Sequence, residues 1–121
     1  MKSSGKSLLI VEESTEVTSI IINSIAGQKN LGVILTAANY TDAVMLLAQK
    51  IADIVLLNMD MKDKKSEQLL KLINTGYKEL KVIALSNNGT SSKTFIDAGA
   101  DFFIDKQKEL SSIPLLISSF G

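Results

Sequence analysis

A doubly wound α/β domain built on a five-stranded parallel sheet is the architecture this sequence predicts, and three observations predict it. Five short apolar runs recur along the 121 residues, each continuous and rich in branched or aromatic side chains, as strands buried on both faces require. The segments between them carry apolar residues at helical spacing instead. The two characters alternate with no internal repeat, low-complexity tract or linker-like shift in composition, the pattern of βα units feeding one parallel sheet. The expected result is three α/β/α layers, right-handed crossovers and a strand order of 2-1-3-4-5.

Taken in order, the expected strands are Ser7 to Val11 (SLLIV), Val33 to Ala37 (VILTA), Ile54 to Leu57 (IVLL), Val82 to Leu85 (VIAL) and Phe102 to Ile104 (FFI). The first helix carries a stripe of Val17, Ile20, Ile21 and Ile25, with Ser14 placed as its N-cap. Ala43, Val44, Leu47 and Ala48 make the second, after Asn39 and Thr41. Leu69, Leu70 and Ile73 make the third, with Ser66 as cap and Gly76 just past its end. Phe95, Ile96 and Ala98 give a short fourth closed by Gly99, and Leu110 to Phe120 a fifth that holds Pro114 in its first turn. Residues 1–6 read as a polar tail and residues 7–121 as one domain.

Composition narrows the chemistry. At 13.1 kDa, with 45% apolar and 21% charged residues, one compact core is expected. Thirteen basic residues balance thirteen acidic ones, so no basic field points to nucleic acid or anionic lipid. There is no cysteine and no histidine, which excludes disulfides, thiolate or imidazole metal sites, Ser-His-Asp catalysis and a phosphohistidine carrier. Met1 to Lys6 is too short and polar for a signal peptide and no run reaches membrane length, so the expected location is cytoplasmic.

In such a sheet, ligands bind outside the carboxyl ends of the strands, where the strand order switches. The residues leaving those ends are Glu12 and Glu13, then Asn58, Met59 and Asp60, with Ser86 after the fourth strand and Lys106 after the fifth. Acids, a hydroxyl and one lysine are thus brought to one edge. Taken singly, each also reads as an ordinary polar loop start.

Together these residues resemble the response-regulator receiver family, which has the CheY-like, flavodoxin-like fold, and the likeness spans nearly the whole chain. LLIVEES resembles the first strand and its acidic pair, and ADIVLLNMDM the third strand, with Asn58 at the phospho-acceptor position. KVIALS brings the switch hydroxyl to Ser86, and GADFFIDK brings the aromatic switch position to Phe103 and the phosphate-binding lysine to Lys106. The resemblance implies a Mg²⁺ site from Glu12, Glu13 and the residue at Asp60, the last through its backbone carbonyl with its side chain toward solvent. It also implies in-line phosphoryl transfer to an aspartate, followed by a hydroxyl shift that lets the aromatic turn inward.

Asn58 removes the central step, because a carboxamide is a far weaker nucleophile than a carboxylate. One anionic metal ligand goes with it, so any Mg²⁺ binding is expected to be weak and no cofactor is required. Other departures accompany it: Asn87 stands where the family has a small residue, and Lys62 and Gln107 stand where it has prolines. Several independent departures mark a naturally degenerate receiver rather than a single Asp→Asn substitution. Lys106 is expected to pair with Glu12 or Glu13 and close the pocket, Phe103 to stay in the core, and Met59 and Met61 to serve packing.

The function expected is a signalling receiver that does not phosphorylate and acts through protein contacts. Its partners would be a histidine kinase, an effector or a fused domain. A homodimer would use the fourth helix, fifth strand and fifth helix, where Phe102 and Leu115 are candidates for exposure. One alternative is a receiver still phosphorylated, at Asp60 or another acid, with Mg²⁺. Another, of a different class, is a metal-dependent enzyme: Glu12 or Glu13 with Asn58-x-Asp60 faintly echoes Toprim and haloacid-dehalogenase sites, but the first aspartate is missing. Ser14-Thr15-Glu16 offers no glycine-rich loop for a flavin phosphate.

Overall fold

The computed structural model describes residues 5–120; the tail residues Met1–Ser4 and the terminal Gly121 lie outside the described residues. Strands β1 (Lys6–Val11), β2 (Leu31–Ala37), β3 (Ile54–Asn58), β4 (Lys81–Ser86) and β5 (Phe102–Asp105) alternate with helices α1 (Thr15–Ile25), α2 (Tyr40–Ala48), α3 (Ser66–Gly76), α4 (Ser92–Asp97) and α5 (Ile113–Ser118). The sheet is parallel throughout, in the order β2-β1-β3-β4-β5. β1 starts at Lys6, one residue inside the segment assigned to the tail.

The period-2 alternation of the strands sorts their apolar residues into two cores. Leu9, Val11, Val55, Leu57, Val82 and Ala84 face α2, α3 and α4 through Ala43, Leu47, Leu69, Leu70, Ile73 and Phe95. Leu8, Ile10, Ile54, Leu56, Ile83 and Leu85 face α1 and α5 through Ile21, Ile25, Ile113 and Ile117. The central strand β3 is buried along its whole length, which fixes Asn58 at the switch in strand order.

Caps follow local chemistry. Ser14 Oγ accepts from Val17 N–H at 3.2 Å and Asn39 Oδ1 from Asp42 N–H at 2.9 Å, starting α1 and α2. Ser66 is not the cap of α3: it is the first helical residue, buried, and its hydroxyl donates to Asn58 O at 2.6 Å. The bond ties α3 to the end of β3, and Gly76 is the last helical residue rather than the first beyond it. Gly99 closes α4 with φ +118°, a conformation that costs only glycine little.

The helical stripes are narrower than spacing alone implies. Ile20, 49% exposed, sits about 120° around α1 from the centre of the buried Ile21–Ile25 face. Ala48 and Ala98 are also exposed, and Val44 is half-buried. The expected fifth helix is broken: a 3-10 turn at Leu110–Ser112 leads into α5, where Pro114 occupies the first turn. No helix among the described residues is long and apolar enough to cross a membrane.

Candidate functional site

The carboxyl ends of β1, β3, β4 and β5 bring Glu12, Asn58, Ser86 and Lys106 together. Glu12, Asn58 and Ser86 are buried, each 5% exposed or less, an unusual place for polar side chains unless each is satisfied. Each is. Glu12 Oε1 lies 3.3 Å from Lys106 Nζ, with the two side chains 1% and 10% exposed. Glu12 Oε2 accepts from Asn58 Nδ2 at 3.2 Å and from Ser14 N–H at 3.0 Å. Asn58 Oδ1 accepts from Asp60 N–H at 2.9 Å, closing a turn across the first residues after β3. Of the two pairings expected for Lys106, the one with Glu12 forms.

Glu13 is held elsewhere: its Oε1 accepts from Lys62 N–H at 2.9 Å. A proline at position 62 has no such proton. The same logic operates beside Lys106, where Gln107 N–H donates to Asp105 Oδ1 at 2.9 Å and Asp105 N–H donates to Glu109 Oε1 at 2.9 Å. Both departures from the proline pattern therefore add a backbone donor, and each donor binds a carboxylate. The peptide bonds of the described residues are all trans.

Asp60 is exposed, and its carboxylate also turns back onto the site. Oδ1 accepts from Ser86 Oγ at 3.0 Å and Oδ2 from Asn87 N–H at 2.6 Å. Ser86 Oγ in turn accepts from Asn88 N–H at 3.0 Å. The exposed Asn87 thus contributes its backbone N–H to the site.

Glu12, Glu13 and Asp60 are consequently committed to three separate sets of donors. Among the described residues no group of three acids could hold a metal ion, and a Mg²⁺ site here would rest on Glu12, Glu13 and the Asp60 carbonyl without the carboxylate of the acceptor position. Phe103 is half-buried and stacked on Phe95, with ring centroids 6.2 Å apart and planes at 22°. Met61 is buried and Met59 packs on the same core.

The fold is that of a receiver. The model of the response regulator receiver domain matches residues 8–117, and the chain belongs to that family. It is the receiver domain of a two-component response regulator, a class of signalling domains that are generally not enzymes. Solved structures share the fold at low identity. The signal receiver domain of a DNA-binding response regulator from Colwellia psychrerythraea superposes with a TM-score of 0.84 at 20% identity, covering 95% of this chain and 97% of that one. An orphan response regulator of H. pylori gives 0.80 at 16%, covering 98% of each chain. The receiver domain of a LuxO repressor protein from Vibrio parahaemolyticus gives 0.83 at 18%, covering 95% and 88%.

Proposed function

We propose that this receiver works without phosphorylation, with its pocket held shut by its own side chains and its output carried by protein contacts. The observation that supports this reading most is Asn58 itself. It stands buried at the end of β3, its amide donating to Glu12 where an acceptor would need a free carboxylate oxygen.

The output surface proposed is the α4-β5-α5 face. Ile96, Phe102 and Leu115 are exposed there, Leu115 by 77%, and Phe102 meets Phe120 edge-on at 5.5 Å. A shallow cavity of about 390 Å³ between Phe102, Phe103, Leu115 and Leu116 continues this apolar surface. Such a face suits a second receiver copy, an effector or a fused domain better than nucleic acid.

Incubation with acetyl phosphate and Mg²⁺ followed by intact-mass measurement tests the reading. The expected mass is that of the unmodified chain. A phosphoryl group mapped to Asp60 or to any other acid of the pocket would overturn it.

A further inference from the structure

The buried hydroxyl of Ser86 and the backbone N–H of Asn87 point at one place beside the end of β4. Donors paired in this way form a small anion-binding site. Here that site already has an occupant. Asp60 places one carboxylate oxygen on each donor, at 3.0 Å and 2.6 Å, so both are spent on a charge that the chain itself supplies. Hydrogen bonds to an ionised carboxylate are roughly twice as strong as neutral ones.

What these bonds hold is the start of the β4–α4 segment. Ser86 Oγ receives Asn88 N–H, and Asn88 Oδ1 receives both the N–H of Thr90 at 3.1 Å and its hydroxyl at 2.6 Å. The 3-10 turn Gly89–Ser91 follows directly and runs into α4, whose Phe95 stacks on Phe103 of β5. Ser86 O also receives the N–H of Lys106 at 2.8 Å, so the same residue ties β4 to the lysine loop. A contiguous set of contacts thus joins the Asp60 carboxylate to the α4-β5 face.

We infer that Asp60 is a built-in anion that keeps the Ser86–Asn87 donor pair permanently occupied and so fixes the β4–α4 segment in its anion-bound arrangement. This rests on the reading of the pocket as phosphorylation-independent and adds what replaces the phosphoryl group. The bland alternative is a loop carboxylate whose removal changes nothing beyond its own turn.

Amide hydrogen exchange on the full chain, with Asp60→Ala and Asp60→Asn beside the parent, tests the inference. In Asp60→Ala the amides of Asn87 to Ser91 are expected to exchange at least about tenfold faster, while those of β1 and β3 keep their protection. Asp60→Asn, which retains one acceptor oxygen, is expected to fall between the two. Phe103 ring resonances should shift in Asp60→Ala. Unchanged exchange at Asn87 would overturn the inference, and so would an equal acceleration across β1 and β3, which would mark lost global stability. These readouts need no phosphodonor, so their failure is distinct from phosphorylation of the parent chain, which would instead overturn the proposed function.

Discussion

Lys106→Met is expected to lower the unfolding free energy by about 3 kcal/mol, because it leaves a buried carboxylate without its cation. Glu12 is the most enclosed charge in the pocket, its side chain 1% exposed, and Lys106 is the donor to its Oε1. The Ser14 N–H and the Asn58 amide still serve Oε2, which keeps the cost toward the lower end for a broken buried pair. Glu12→Gln should be milder, about 1 kcal/mol, since the Lys106 ammonium is 10% exposed and can extend into water. The double variant should then cost less than the two single changes added together. Urea denaturation of the four proteins checks all three statements. A Lys106→Met protein as stable as the parent would mean that the pair does not hold the pocket.

Asn58→Asp is the second large effect. In the parent, the Asn58 amide donates to Glu12. The substitution exchanges that donor for a second carboxylate facing the first at a position 2% exposed, and two like charges there disfavour the ionised pair. A loss of about 2 kcal/mol is expected without divalent cation. Added Mg²⁺ should recover part of it, because the introduced carboxylate and Glu12 together offer the hard oxygens a cation needs. Thermal unfolding with and without Mg²⁺ reads both. Phosphorylation of this variant should remain weak, since Ser86 and Asn87 still serve Asp60. Rapid, complete phosphorylation would show that Asn58 alone silences the domain.

The parts of this molecule that follow from periodicity are open to reading in the sequence. Continuous runs such as Ile54 to Leu57 have one good solution, a strand covered on both faces, and five of them in alternation leave one sheet order favoured. Ser14 and Asn39 act on backbone donors three residues away, so their caps are local and legible. Ser66 has the same local setting but is drawn 8 residues back to a carbonyl of β3, a partner that only the fold supplies. The site divides similarly. Spacing gathers Glu12, Asn58, Ser86 and Lys106, and the Glu12–Lys106 pair is one of the two expected from the sequence. The place of Asp60 is hidden because the rule of alternating faces ends where the strand ends, and the turn through Met59 swings its carboxylate onto β4. In the sequence, Lys62 and Gln107 read only as departures from the family's prolines. At positions 62 and 107 the restored N–H groups are instead gained donors, a consequence visible only once Glu13 and Asp105 are seen within reach.

Whether the pocket can still take up a phosphoryl group or its equivalent separates a self-occupied receiver from a working one. Amide NMR spectra of the parent chain recorded with and without beryllofluoride and Mg²⁺ test this most directly, since beryllofluoride imitates a phosphoryl group bound to a carboxylate. Unchanged resonances for Ser86, Asn87, Phe103 and Lys106 across the titration are the result predicted by a pocket whose donors are already occupied. Saturable shifts at those same residues would contradict it.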